Sequence, residues 1–318
     1  MTVADDYLTD WGVTDADDQF HPHDPQESAW VETLWFAFMV PERRLLGYIY
    51  PVFRLNQGIQ YGGIRIVEGD AELPWEIPIY HWDNYAPMQA GVDLRDFTLP
   101  SGLSLRCTRP GRRFEMTYQS RELTFDLTFD ALMQPLRSSK DGPFTANGHL
   151  DQPGRMTGEL IMHGEAIAVD CLAMRDRGWG PRRDHASVQM GYAYAVASER
   201  SAFLSVSGTG KSGIDKVLSG FLMRDGVWAK LASGERSATR DAQGRPTAFL
   251  IQATDELGRP FEARGTVVSR MASHTSPQML CWCSLVHWTF DGEQCWGEDQ
   301  DCWSPRRWRG LLETLPGS

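Results

Sequence analysis

Apolar and polar residues alternate with period two at several places along the chain, the pattern of strands with one covered face and one open face. The cleanest case is Leu123 to Asp130. There Leu123, Phe125, Leu127 and Phe129 take one face, and Thr124, Asp126, Thr128 and Asp130 take the other. Just before it, Phe114, Met116 and Tyr118 alternate with Arg113, Glu115 and Thr117. Val188, Met190, Tyr192, Tyr194 and Val196 predict another strand, as do Leu280, Trp282, Ser284, Val286, Trp288 and Phe290. Turn signals fall between such runs: Arg224-Asp225-Gly226, Asp255-Glu256-Leu257-Gly258 and Asp291-Gly292. Long helical periodicity is hard to find. The expected fold class is therefore all-β, built from antiparallel barrels or sandwiches.

The stretch Leu136 to Thr157 breaks the pattern. It holds Ser138-Ser139-Lys140-Asp141-Gly142-Pro143 and Asp151-Gln152-Pro153-Gly154, and reads as a long connection. It splits the chain into two strand-rich halves. The expected organisation is an acidic N-terminal arm over 1–25, a β domain over 26–140, a connection over 141–157 and a second β domain over 158–318. The arm carries Asp5, Asp6, Asp10, Asp15, Asp17 and Asp18 and reads as poorly packed.

Composition narrows the function classes. The chain has 318 residues, 42% hydrophobic and 23% charged, which fits a globular protein. The net charge of −11 argues against nucleic acid as a partner. Leu34 to Val40, the longest apolar run, is far short of the ~20 residues of a membrane span. The acidic start lacks the basic and apolar regions of an export signal, so a cytoplasmic location is expected. Six cysteines in such a chain do not suggest a disulfide scaffold. Twelve tryptophans stand out, because Trp often lines apolar ligand pockets.

Familiar cofactor motifs fail on spacing. Ser207-Gly208-Thr209-Gly210-Lys211-Ser212 lacks the first glycine of a phosphate loop, since position 205 is Ser. Cys281, Cys283, Cys295, Cys302, His274 and His287 do not show zinc-pair spacing, and small buried residues explain Cys281 and Cys283 equally well. No cofactor and no metal are expected.

Three polar clusters remain. Arg175-Asp176-Arg177-Gly178-Trp179-Gly180-Pro181-Arg182-Arg183-Asp184-His185 is the densest, at the end of an apolar run. It reads either as the polar rim of a barrel mouth or as a surface salt-bridge loop with a packed Trp. Tyr80-His81-Trp82-Asp83-Asn84-Tyr85 sets one imidazole and one carboxylate among aromatic rings, or is a loop with a structural His. Trp296 to Trp303 places Glu298, Asp299 and Asp301 between tryptophans, where ion pairing to the arginines is as good a reading as catalysis.

The segment Met174 to Arg182 resembles the R-D-x-x-W-G-x-R signature of a bacterial family, uncharacterised in the main and related to carotenoid 1,2-hydratase and AttH-like proteins. Gly47-Tyr48-Ile49-Tyr50-Pro51, Gln152-Pro153-Gly154-Arg155, Gly158-Glu159-Leu160 and Gly297-Glu298-Asp299-Gln300 support it. The resemblance implies two lipocalin-like β-barrels in tandem with a hydrophobic pocket near their interface. It also implies hydration of an isoprenoid double bond without a redox cofactor, or cyclisation or isomerisation of a lipophilic intermediate. The hydratase branch carries His two positions before the motif Trp. Here that position is Arg177, which cannot exchange a proton near neutral pH.

Protonating an alkene needs a buried neutral acid, aromatic faces for the developing cation and little water. Asp176 or Asp83 is the expected acid, and His81 or His185 the expected base or water-positioning group. Trp179, Trp82, Tyr85, Tyr192 and Tyr194 are expected walls, with Glu298 beside them. Arg175 and Arg177 are expected to bind a substrate oxygen. Alternation puts both arginines on the opposite side of a strand from Asp176, so only one side faces a pocket. The expected function is a lyase or isomerase acting on an isoprenoid- or steroid-like small molecule in a β-barrel pocket. The alternative is a non-catalytic carrier of a hydrophobic ligand. A homodimer is left open.

Overall fold

The runs around Phe114 and Leu123 have one covered face for their apolar set, those around Tyr192 and Trp282 are buried on both faces, and each forms a strand. A computed structural model describes residues 12–137, 148–182, 189–209, 215–276 and 279–315, without the side chains of 275 and 276. The first sheet contains β1 (Trp30–Val40), β2 (Leu45–Arg54), β3 (Ile59–Glu68), β4 (Ile79–Pro87), β5 (Asp96–Thr98), β6 (Ser104–Arg109), β7 (Arg113–Gln119), β8 (Leu123–Ala131), β9 (Leu136–Arg137), β10 (Gly148–Met162) and β11 (Glu165–Pro181). Its order is β4-β3-β2-β1-β11-β10-β8-β7-β6-β5, with β9 also paired to β10. The second unit contains β12 (Gln189–Ser198), β13 (Ser201–Thr209), β14 (Asp215–Arg224), β15 (Val227–Arg240), β16 (Pro246–Asp255), β17 (Pro260–Ser276), β18 (Met279–Phe290) and β19 (Glu293–Trp303). These eight follow one another round a closed barrel, β19 returning to β12. The predicted hairpin turns have left-handed backbones at Asp225-Gly226 and Asp291-Gly292.

The first sheet rolls up without closing. Phe97 of β5 reaches Phe53 of β2 at 5.4 Å, and Phe36 of β1 meets Phe114 of β7 at 5.4 Å. Tyr118 of β7 hydrogen-bonds His81 on the edge strand β4 at 2.9 Å. The edges β4 and β5 do not pair with each other. The lipocalin-like tandem is therefore one rolled open sheet followed by one closed barrel. Phe203, Phe249, Trp288 and Phe290 fill the barrel. Arg236 lies buried at its wall, donating to Asp299 at 2.9 Å and to Asp301 at 3.1 Å.

The division between the halves differs from the expected one. Residues 148–181 form β10 and β11, central strands of the first sheet, so the change of sheet falls between Pro181 and Gln189 rather than over 141–157. Residues 138–147 lie outside the described residues. Pro153, which suggested a loop, sits where β10 changes partner from β9 to β8, a place where a missing N–H disrupts little.

The acidic segment also differs from expectation from residue 12 onward. Asp17 and Asp18 are buried, and the segment packs against the end of the rolled sheet. A short helix, α1 (Pro305–Leu312), follows the barrel. Ser304 caps it and Trp308 packs on Trp303. Among the described residues no helix is long and apolar enough to cross a membrane.

Candidate functional site

Alternation gives each strand of the first sheet one side toward its rolled interior and one side toward the barrel. On β11 the interior side carries Arg175, Arg177 and Trp179, and the barrel side carries Asp176. Register extends that second side across the sheet. Asp176 lies opposite Trp35, Arg65 opposite Tyr48 and Tyr80, and Trp82 opposite Gly63. The barrel answers with its outer face, including Met190, Tyr192, Met271, Ser273, Cys283 and Gln300. Between them lies a cavity of about 100 Å³ lined also by Tyr50, His149 and Arg182. The pocket is thus between the two sheets and not inside the barrel, whose interior is packed with side chains.

At one end three proton-exchanging groups meet. His149 Nε2 lies 3.1 Å from Asp151 Oδ1, and the Tyr192 hydroxyl donates to the same oxygen at 2.7 Å. Asp151 lies opposite Asp176 in the register of β10 and β11. Donor atoms of His149, Asp151 and Asp176 all lie within 4.8 Å of one another. Burial lowers the His149 pKa, but neighbouring Asp151 outweighs it and leaves it raised. Burial raises the Asp176 pKa to about 6, opposed by His149 and reinforced by Asp151. Asp176 Oδ1 is shut off from bulk water and has no hydrogen-bond partner. In charge terms His149 serves Asp151, and Asp176 is left as the carboxyl best placed to hold a proton. The same three groups have the chemistry to hold a divalent cation. Two of the three, His149 and Asp151, are bonded to each other, with the Tyr192 hydroxyl on the same Asp151 oxygen.

Arg182 reaches this end from just beyond β11, bonding Tyr50 Oη at 3.3 Å and Thr33 Oγ1 at 3.2 Å. A side chain at Gly178 would run into the Arg182 guanidinium, so the glycine of the motif makes room for its arginine. At the other end Arg65 lies over Trp82, its guanidinium carbon 3.5 Å from the ring centroid. Tyr48 donates to Glu298, whose carboxyl burial pushes well above its usual range.

Of the expected site residues, Asp176, Trp82 and Tyr192 line the cavity. Tyr194 and Glu298 are buried behind the wall and do not line it. Arg175, Arg177 and Trp179 are on the wrong side of β11 to bind a ligand there. Arg175 pairs with Asp18 at 2.9 Å, Arg177 pairs with Glu32, and Trp179 stacks on His21 at 3.9 Å. His81 faces away from Trp82 by alternation, its ring held by Tyr118 and by Glu122 at 3.1 Å. Asp83 does not line the cavity, and Tyr85 is half exposed on Tyr61. His185 lies outside the described residues. Cys281 lies 3.6 Å from Cys283 and 2.9 Å from Cys302, and His287 packs on Trp296. Sequence reasoning missed His149, Asp151 and Arg65. The first two fell in the stretch read as a connection, although His149 and Asp151 alternate with Leu150 as strand residues do.

The tandem of lipocalin-like β units has counterparts among solved structures. A structure assigned to AttH, from Nitrosomonas europaea, matches with a TM-score of 0.61 at 16% identity, over 86% of this chain and 91% of that one. Kievitone hydratase from Nectria haematococca matches with a TM-score of 0.55 at 9% identity, over 89% and 93%. CghA matches with a TM-score of 0.55 at 12% identity, over 95% and 97%. Residues 14–304 match the model of a domain of unknown function, DUF7064, and the chain belongs to that family. Among curated protein sequences none matches significantly.

Proposed function

We propose that the protein is a lyase or isomerase of the hydratase or cyclase type, acting by acid–base catalysis on a lipophilic, isoprenoid- or steroid-like small molecule held between the two sheets. The observation that carries this is Asp176, a carboxyl on the cavity wall with a buried, unpartnered oxygen beside His149 and Asp151. A carrier needs no such group. The likeness to kievitone hydratase and CghA supports the reaction class by analogy of fold.

In the hydration direction, neutral Asp176 gives its proton to one alkene carbon. The cation at the other carbon is faced by aromatic rings, among them Trp35 and Tyr50. Water adds to that cation, and the proton it sheds returns to the His149–Asp151–Asp176 group, which restores the acid. Cyclisation uses the same first step, with an internal double bond or hydroxyl in place of water.

The test is turnover of a panel of prenylated, terpenoid and steroidal alkenes in heavy-oxygen water. Uptake of label marks hydration, and a retention shift without a mass change marks cyclisation or isomerisation. Asp176→Asn should lower kcat/KM by about 10²–10⁴-fold while circular dichroism stays unchanged. Because the proton-bearing form is the active one, wild-type activity should be full at low pH and fall as pH rises through about 6. Binding without turnover, equal in both proteins, would leave the carrier reading instead.

A further inference from the structure

The end of the cavity away from Asp176 holds a cation without an anion. Arg65 on β3 is 3% exposed and lines the cavity. Its guanidinium donates to Ser273 Oγ and, at 3.4 Å, to the His274 carbonyl, both neutral. Its Nε has no partner. Among the described residues no carboxylate forms an ion pair with it, whereas Arg175, Arg177 and Arg236, the other deeply buried arginines, each have one. A buried charge is costly unless an opposite charge and hydrogen bonds meet it. The plane of the group is fixed, since Trp82 lies beneath it at 3.5 Å and Tyr80 beside it at 5.1 Å.

We propose that Arg65 is the anchor for an anionic oxygen of the ligand, and that the ligand is a lipophilic carboxylate whose acid group sits at Arg65 while its apolar body extends toward Asp176. This deepens the reading of the cavity as a site for a lipophilic molecule and rests on it. The guanidinium fork matches a carboxylate, and Ser273 can add its hydroxyl hydrogen. Strands β3 and β11 are separated by β2 and β1, so the two ends lie about 14 Å apart along the sheet at ~4.8 Å per strand. A carboxylate bound at Arg65 therefore leaves the reacting double bond several carbons away, clear of its charge. Facing Arg65 from the barrel wall across the cavity, Cys283 is the neighbour able to balance it as a thiolate.

The experiment measures binding of a terpenoid carboxylic acid, its methyl ester and its primary alcohol by calorimetry, in wild type, Arg65→Gln, Arg65→Lys and Asp176→Asn. The acid is expected to bind wild type ~10–100-fold more tightly than the ester or alcohol. That preference should vanish in Arg65→Gln, survive in part in Arg65→Lys and persist in Asp176→Asn. Without ligand, Arg65→Gln should melt no lower than wild type, because it removes an uncompensated charge. Equal binding of acid and ester to wild type would overturn the anion assignment and spare the lipophilic cavity. So would an undiminished acid preference in Arg65→Gln, or rapid alkylation of Cys283 at neutral pH, which would make the thiolate the counter-ion. Binding of none of the three compounds would overturn both readings.

Discussion

A guanidinium with no exposure survives only among acceptors, and Arg177 is surrounded by them: Glu32, the Thr33 carbonyl at 3.1 Å and the Gln19 carbonyl at 2.9 Å. Glu32 is equally buried. Burial raises its pKa, but His21 and Arg177 outweigh that and leave it below the usual carboxylate range. Glu32→Gln should cost about 3–5 kcal/mol, because the arginine then stays buried without its charge partner. Urea unfolding measures this. Replacing both partners, Glu32→Leu with Arg177→Met, should recover most of the loss. If Glu32→Gln unfolds like wild type, the pair is not the buried contact described. These arginines show what a motif conceals. The run Arg175 to Arg182 announced chemistry, and period two announced that Asp176 and the arginines part company. Which side met the cavity depended on what lay across it, and no local pattern encodes that. Arg65 gave no signal at all, since its meaning comes from the absence of a partner in space.

At the scale of elements, strands with one covered face were legible because each needs alternation, and β7 and β8 show it, while β12 and β18 are buried on both faces for most of their length. Strand β10 was not legible. Its Pro153 and Gly154 are turn residues by composition, and the changes of partner that accommodate them are tertiary facts. The segment before β1 was misread for a related reason: its carboxylates look solvated until the arginines beneath them are seen. That segment has a pH window. His21 lies 3.2 Å from both Asp17 and Glu32. Burial lowers its pKa, but the two carboxylates outweigh that and raise it. A raised His stabilises the folded contact below its unfolded pKa of about 6.5, and the contribution is lost as pH rises through the folded value. Asp17 and Glu32, both lowered, contribute above about 4, their unfolded range, and lose that contribution as pH falls through their folded values. Residues 12–24 should therefore be held most tightly between about pH 4.5 and 6.5. Hydrogen exchange should show less amide protection there at pH 8 than at pH 6. Equal protection, after correction for intrinsic exchange rates, would mean that His21 does not hold the segment.

For the whole molecule, the sequence suggested two β units in tandem, and the structure joins them through a shared wall. Trp35 packs edge-on against Tyr192 at 5.9 Å and Tyr194 at 6.0 Å. Polar ties cross as well: Tyr192 to Asp151 at 2.7 Å, Arg44 to the Val268 carbonyl at 2.8 Å, and Glu72 to Arg245 and Arg270, each at 2.7 Å. Losing either half would strand these groups, because Asp151 and Glu72 belong to one sheet side and their partners to the other. Unfolding should therefore be a single transition, coincident by tryptophan fluorescence and far-ultraviolet circular dichroism. A second consequence follows from the cavity. At about 100 Å³ it is smaller than the ~300 Å³ that small-molecule sites usually offer. Met190, Met271 and Met279 are the flexible parts of its wall, so a ligand gains room by moving them or by parting the sheets. Either way the ligand touches both halves, and binding should raise the one transition as a whole, by about 2.7 kcal/mol at a hundredfold excess over Kd. Calorimetric scans with and without a bound terpenoid acid measure both points. Two resolved transitions, with only one of them moved by the ligand, would mean that the cavity belongs to one half and that the shared wall is not what holds the halves together.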